Sequence, residues 1–152
     1  MKPTLMVAVA LAAGLVGLAR ADAPTPTAPD IVAGRQAGFG LSSVVFGGMR
    51  PVIDGGGDVK PLTRNARMLA RWARAIPALF PAGSNVGRTT ANAAVWSDRP
   101  GFEVAAARYA EAAARLAQLA EANDKAGFAA QYQAVGETCG ACHKAYRLPE
   151  PH

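Results

Sequence analysis

Leu62, Ala66, Leu69, Ala73, Ile76 and Phe80 recur at spacings of four, three, four, three and four. That is the period of an α-helix with one apolar stripe, which must be buried against another element. The segment 102–122 repeats the pattern with Phe102, Ala106, Tyr109, Ala113, Leu116 and Ala120. The segment 123–147 does so with Phe128, Tyr132, Val135, Cys139, Cys142 and Tyr146. A fourth helix is expected over 30–53, opened by Asp30 as N-cap, with Ile31, Gln36, Phe39, Val45, Phe46 and Met49 at mixed helical spacings. Gly34, Gly38, Gly40, Gly47 and Gly48 lower its propensity, so it needs tertiary packing and permits close backbone approach. No segment alternates as a strand would. Four such helices, joined by short connections at two of the three joints, predict an all-α antiparallel four-helix bundle. Alanine and glycine on the facing stripes leave a thin core with space for something bulky. No internal repeat is visible.

The N-terminus reads as an address. Lys2 precedes an apolar run over residues 5–19, and Ala19-Arg20-Ala21 offers a cleavage site. The run is short of the roughly 20 residues a membrane span needs, so export to the periplasm and cleavage is preferred over an uncleaved anchor. The expected organisation is a signal peptide over 1–21, a Pro/Thr-rich leader over 22–29 and one domain over 30–152. The net charge of +5 falls to +3 without Lys2 and Arg20, too weak and too well spread to favour nucleic acid. Arg64, Arg67, Arg71 and Arg74 form a row on the second helix, expected over 58–80. The row reads as a solvated face, with a docking patch for an acidic partner as the other reading. The stretch 81–101 reads as a long loop, and long loops in compact domains are often functional.

The chain's two cysteines and one of its two histidines sit together in Cys139-Gly140-Ala141-Cys142-His143. A disulfide between these cysteines would close a tiny loop and stabilise little. On a helix the pair shares one face, with His143 close enough to join it. Two thiols so placed can add across the vinyl groups of one haem, and the adjacent imidazole then becomes an axial ligand. C-x-x-C-H is the signature of c-type haem attachment. A structural zinc site wants four ligands, and this chain offers Cys139, Cys142, His143 and at most His152. A thioredoxin-like pair belongs where a strand meets a helix, which this sequence does not provide. Few residues follow His143, so a sixth iron ligand must come from upstream or not exist. Without the signal only Met49 and Met68 remain, and both read first as core filler.

These features together resemble the cytochrome c′ family, the class II c-type cytochromes. The resemblance is carried by the C-terminal C-x-x-C-H, by Arg35-Gln36 with Phe39 three residues on, by Trp96-Ser97-Asp98 and by Ala145-Tyr146-Arg147. It implies one covalent haem c held by Cys139 and Cys142, with His143 as proximal ligand and the metal-binding residue. Arg35 and Gln36 are then expected at the haem edge, Arg35 suited to a propionate. Phe39 would cover the distal face, where low-spin relatives place a methionine. Arg147 would lie on the proximal side, Phe80 and Trp96 would line the pocket, and Thr90 would touch the edge. Family members are often homodimers through their first two helices.

Two functions follow. One is a five-coordinate, high-spin haem protein that binds small neutral gases such as NO and CO in an apolar distal pocket, with electron transfer as an added role. The other is a six-coordinate, low-spin periplasmic electron carrier with a methionine sixth ligand and an unidentified redox partner. An enzymatic role is disfavoured, because no histidine or acid falls on the expected distal face.

Overall fold

The computed structural model describes residues 25–149. The expected signal peptide and His152 lie outside them. Among the described residues six α-helices form: α1 (Ala28–Gly47), α2 (Arg50–Asp54), α3 (Thr63–Ala75), α4 (Ala94–Ser97), α5 (Arg99–Glu121) and α6 (Lys125–Tyr146). The four long ones, α1, α3, α5 and α6, make an antiparallel bundle.

The helix ends correct the sequence reading where proline and side-chain caps intervene. Asp30 is not the N-cap of α1. Thr27 is, and Asp30 completes a capping box by accepting the Thr27 backbone N–H at 2.9 Å. The helix therefore enters what was expected to be leader. It also stops at Gly47 rather than near Ile53, and the short α2 follows a break at Gly48-Met49, with Pro51 in its first turn. The helix expected over 58–80 is α-helical only over Thr63–Ala75. It is flanked by 3-10 turns at Lys60–Leu62 and Ile76–Leu79, each beginning around a proline, Pro61 or Pro77. Asp98 caps α5, accepting from the Gly101 N–H at 3.2 Å, and α4 occupies part of the expected loop. Asp124 caps α6 in the same way, accepting from the Gly127 N–H at 2.9 Å. Between these two helices Asn123 takes a left-handed φ of 54° and accepts the Val59 N–H at 3.1 Å, tying the α5–α6 turn to the chain before α3.

The packing follows from side-chain size. Ala66, Ala70 and Ala73 of α3 and Ala106, Ala110, Ala113, Ala117 and Ala120 of α5 are buried with Leu69 and Leu116 between them. Small residues let these two helices approach closely, and they form the most extensive interface of the bundle. Phe80, Phe102, Phe128 and Tyr132 fill the ends. Met49 is fully buried as core filler, but Met68 is 40% exposed and is not. Helix α1 approaches α3 through Gly38, where a Cβ would stand 2.3 Å from the Trp72 indole. The arginine row runs along the outside of α3, where Arg67 meets Glu121 of α5 at 2.8 Å in an exposed pair. None of the described helices is long and apolar enough to cross a membrane.

Candidate haem site

Helix α6 carries Cys139 and Cys142, both half-buried, with Cys139 packed against the core and His143 more exposed. Burial pushes both thiols above their ordinary value, and for Cys142 the neighbouring Cys139 adds to the rise. Burial, and then the charge of Arg147, holds the His143 imidazole below its ordinary value. It is therefore kept neutral, with a lone pair to give to a metal. Beneath Cys139 lies Tyr109 of α5, a buried phenol pushed well up by desolvation and by that thiol.

Register sets Phe39 at the same level as this group. Phe46 of α1 stacks on Tyr132 of α6, ring centroids 4.1 Å apart, and faces Gly136. The two helices run antiparallel. Seven residues back along α1 and seven forward along α6 are each about 10 Å, which sets Phe39 level with Cys139. Arg35 and Gln36 then come level with Cys142 and His143. At this level Phe39 packs toward α3 and the loop: its ring meets Trp72 edge-on at 5.2 Å and Phe80 at 6.3 Å. Phe80 also contacts Trp96 at 6.1 Å and Phe102 at 5.0 Å. The expected pocket aromatics are thus brought into one cluster with Phe39.

Arg35, only 2% exposed, is held differently from a surface cation. It donates to the Ser84 hydroxyl at 2.8 Å, the Ser84 carbonyl at 2.9 Å, the Thr89 hydroxyl at 2.8 Å and, more weakly, the Leu79 carbonyl at 3.4 Å. Its guanidinium lies 4.3 Å from the Phe80 ring centroid. No salt bridge to a carboxylate is formed by Arg35 among the described residues, and burial lowers its pKa. Gln36 donates to the Arg88 carbonyl at 2.7 Å, and Trp96 donates its indole N–H to the Pro81 carbonyl at 3.0 Å. Thr90 is exposed, and its carbonyl accepts the Leu148 N–H at 2.7 Å. Arg147 leaves the helix in extended conformation, its N–H bonded to the His143 carbonyl at 3.0 Å.

Three residues that were not among the expected site residues belong to this region. Trp72 stands against Phe39 with its indole N–H buried and without a hydrogen-bond partner. Tyr146 donates its hydroxyl to Asp98 at 2.7 Å and packs edge-on against Phe102. Thr89 receives Arg35. No local sequence signal marked Trp72, because its partners Gly38 and Phe39 lie on another helix.

A haem fits this constellation. The donor set is two thiols on one helical face beside a neutral imidazole. The opposite wall is aromatic, and Trp72 brings an unsatisfied donor that a carboxylate-bearing cofactor can accept. Among the described residues no three His, Cys, Asp or Glu side chains gather as a metal site; His152, the fourth candidate zinc ligand, lies outside them.

A sequence profile described as Cytochrome C' matches residues 30–147. The chain belongs to the cytochrome c′ family. Cytochrome c′ from Rhodospirillum rubrum is 42% identical over 84 residues, covering 55% of this chain and 57% of that protein. The match therefore spans little more than half the length of this relative. Cytochrome c-556 from Agrobacterium tumefaciens is 43% identical over 111 residues, covering 72% of this chain and 84% of that protein. Among solved structures, a nitric oxide complex of mutant cytochrome c prime from Alcaligenes xylosoxidans superposes with a TM-score of 0.76 at 29% identity. It covers 84% of this chain and 100% of that one. A carbon monoxide-bound variant of the same protein gives 0.75, also at 29% identity, covering 83% and 100%. The cytochrome c′ family binds haem c, and this chain carries its two cysteines, Cys139 and Cys142, three residues apart on α6.

Proposed function

We propose that this is an exported periplasmic haem protein with a five-coordinate, high-spin iron, binding small neutral gases such as NO and CO. His143 is the proximal ligand, and electron transfer is an added role. The observation that carries the reading is Phe39: a hydrocarbon ring, boxed by Trp72 and Phe80, stands level with the attachment cysteines where a sixth ligand would have to come from. Bound here, haem supplies an iron with one axial position for a diatomic ligand. The chain's part is to hold the imidazole neutral on one side and to present an apolar wall on the other, which disfavours water and anions. The NO- and CO-bound structures of the Alcaligenes relative support the same ligand class. Arg147 lies close enough to depress the His143 pKa, and so puts a positive charge on the proximal side. No catalytic turnover is proposed.

The methionine-ligated carrier has less support. Met49 is sealed in the core beyond the C-terminal end of α1, about 15 Å along the chain's helical path from Phe39. Met68 projects from α3 at 40% exposure. Exposing the reduced holoprotein to CO and NO is the test. Spectral shifts with both gases are expected, and a reduced form inert to CO would remove the proposal. Phe39→Met, which places a thioether at this level, should weaken CO binding at least about tenfold by internal competition.

The outer face of α1 fits a homodimer. Leu41 and Val44 are 67% and 73% exposed, and Cβ atoms built at Gly34, Gly40 and Gly47 meet nothing. A second copy of this helix is the proposed occupant. Sedimentation should give twice the chain mass, falling to one for Val44→Asp.

A further inference from the structure

Beyond ligand binding itself, the hydrogen bonds of residues 79–92 join the two walls of the site to each other. On the α1 side Arg35 grips Leu79, Ser84 and Thr89, and Gln36 grips Arg88. On the α6 side the lacing begins two residues past His143. Asn92 donates its side-chain N–H to the Ala145 carbonyl at 2.8 Å and its backbone N–H to the Tyr146 carbonyl at 3.1 Å. Ala91 and Arg147 form an antiparallel bridge, and Leu148 donates to Thr90. Arg147 in turn donates its backbone N–H to the His143 carbonyl.

One side chain connects the halves. The Thr89 hydroxyl accepts from Arg35 at 2.8 Å and from the Ala91 N–H at 3.2 Å. It therefore bonds at once to the buried cation anchored on α1 and to the residue bridged to Arg147.

We infer that residues 79–92 form a strap from α1 to the end of α6, and that Thr89 is the positioning residue through which it sets how His143 meets the haem iron. The inference rests on His143 being the proximal ligand. A buried guanidinium that spends its donors on this segment makes one end of the strap stiff. The other end is a set of bonds to residues two to five past the histidine. Loosening the middle should free the last turn of α6, and with it the tilt and distance of the imidazole. The distal wall, Phe39, sits one helical turn from the Arg35 anchor, so the strap also links the two faces mechanically.

Thr89→Val removes the hydroxyl at nearly constant volume, and Thr89→Ser restores it. Both are made in the holoprotein and read in two ways. Amide hydrogen exchange at Asn92 and Leu148 reports the lacing, and the iron–histidine stretching band of the reduced protein reports the imidazole. Thr89→Val should speed exchange at both amides about tenfold and shift or broaden the band, with helical content unchanged. Thr89→Ser should match the parent in both. Unchanged exchange and an unchanged band in Thr89→Val would overturn the inference, as would a Thr89→Ser protein altered as much as the valine variant. If Thr89→Val fails to accumulate, Asn92→Ser removes the bond to Ala145 and takes the same measurements. A parent protein with no iron–histidine band refutes the five-coordinate reading instead, and the strap is then judged on hydrogen exchange alone.

Discussion

Arg35→Ala should lower the unfolding free energy of the holoprotein by about 2–4 kcal/mol, one of the larger effects available to a single substitution in this fold. The alanine leaves two carbonyls, of Leu79 and Ser84, and two hydroxyls, of Ser84 and Thr89, without the donor they now share. It also removes a planar cation lying over the Phe80 ring. Burying a guanidinium without a carboxylate is itself unfavourable, which is why Arg35→Met separates the contributions. Methionine fills much of the stem's volume and eliminates the buried charge, yet the same oxygens still lose their partner. Methionine should therefore recover only part of the loss. Lysine should also fall short, because an ammonium cannot fork between Ser84 and Thr89 as a guanidinium does. Thermal unfolding followed by circular dichroism checks the series, with a midpoint drop of roughly 10 °C expected for alanine. A drop within error of zero would mean that the loop does not depend on this anchor.

The second large effect is chemical. Cys139→Ala combined with Cys142→Ala should leave no haem covalently attached, so acidified organic solvent extracts all of it from the double variant and none from the parent. Either single variant should keep the haem on the remaining thioether. The two sulfurs stand on one face of α6 because three residues of helix bring side chains nearly into line. Both are half-buried there, with thiols raised by burial, so neither is an exposed thiolate prone to stray oxidation. His143 is untouched in this experiment, and any haem that remains non-covalently bound reports on the imidazole and the aromatic wall alone.

Much of this architecture was legible in the sequence, because the information was local. The stripes of α5 and α6 follow from spacings within single helices, and the attachment motif lies within five residues. The helix ends were less legible. Thr27 and Asp30 act as a reciprocal pair, and either alone looks like a cap. Pro61 and Pro77 convert the flanks of α3 to 3-10 turns without interrupting its apolar period. Met68 looked like core filler by composition, but its position on α3 falls outside the buried face defined by Ala66, Leu69, Ala70 and Ala73.

What could not be read from the sequence depends on contacts distant along the chain. The stretch expected as loop owes its order to Arg35, which reaches Ser84 and Thr89 across 49 and 54 residues, and to the bridge between Ala91 and Arg147. Nothing in the local composition of residues 81–93 signals either partner. Trp72 was missed for a similar reason: its importance comes from Gly38 and Phe39 on another helix. The sequence did mark Arg35, Gln36, Phe39, Phe80, Trp96 and Arg147 through family resemblance. The structure adds that Arg35 and Gln36 engage the loop, and that Phe39, Phe80 and Trp96 form one aromatic cluster.

The central claim is the coordination of the iron, and the electronic spectrum of the purified ferric holoprotein tests it most directly. With His143 as the sole protein ligand and Phe39 opposite, the spectrum should be high-spin, without a methionine–iron charge-transfer band, and should stay so across neutral pH. A low-spin spectrum carrying that band would contradict the account and place a thioether where Phe39 is now held to stand.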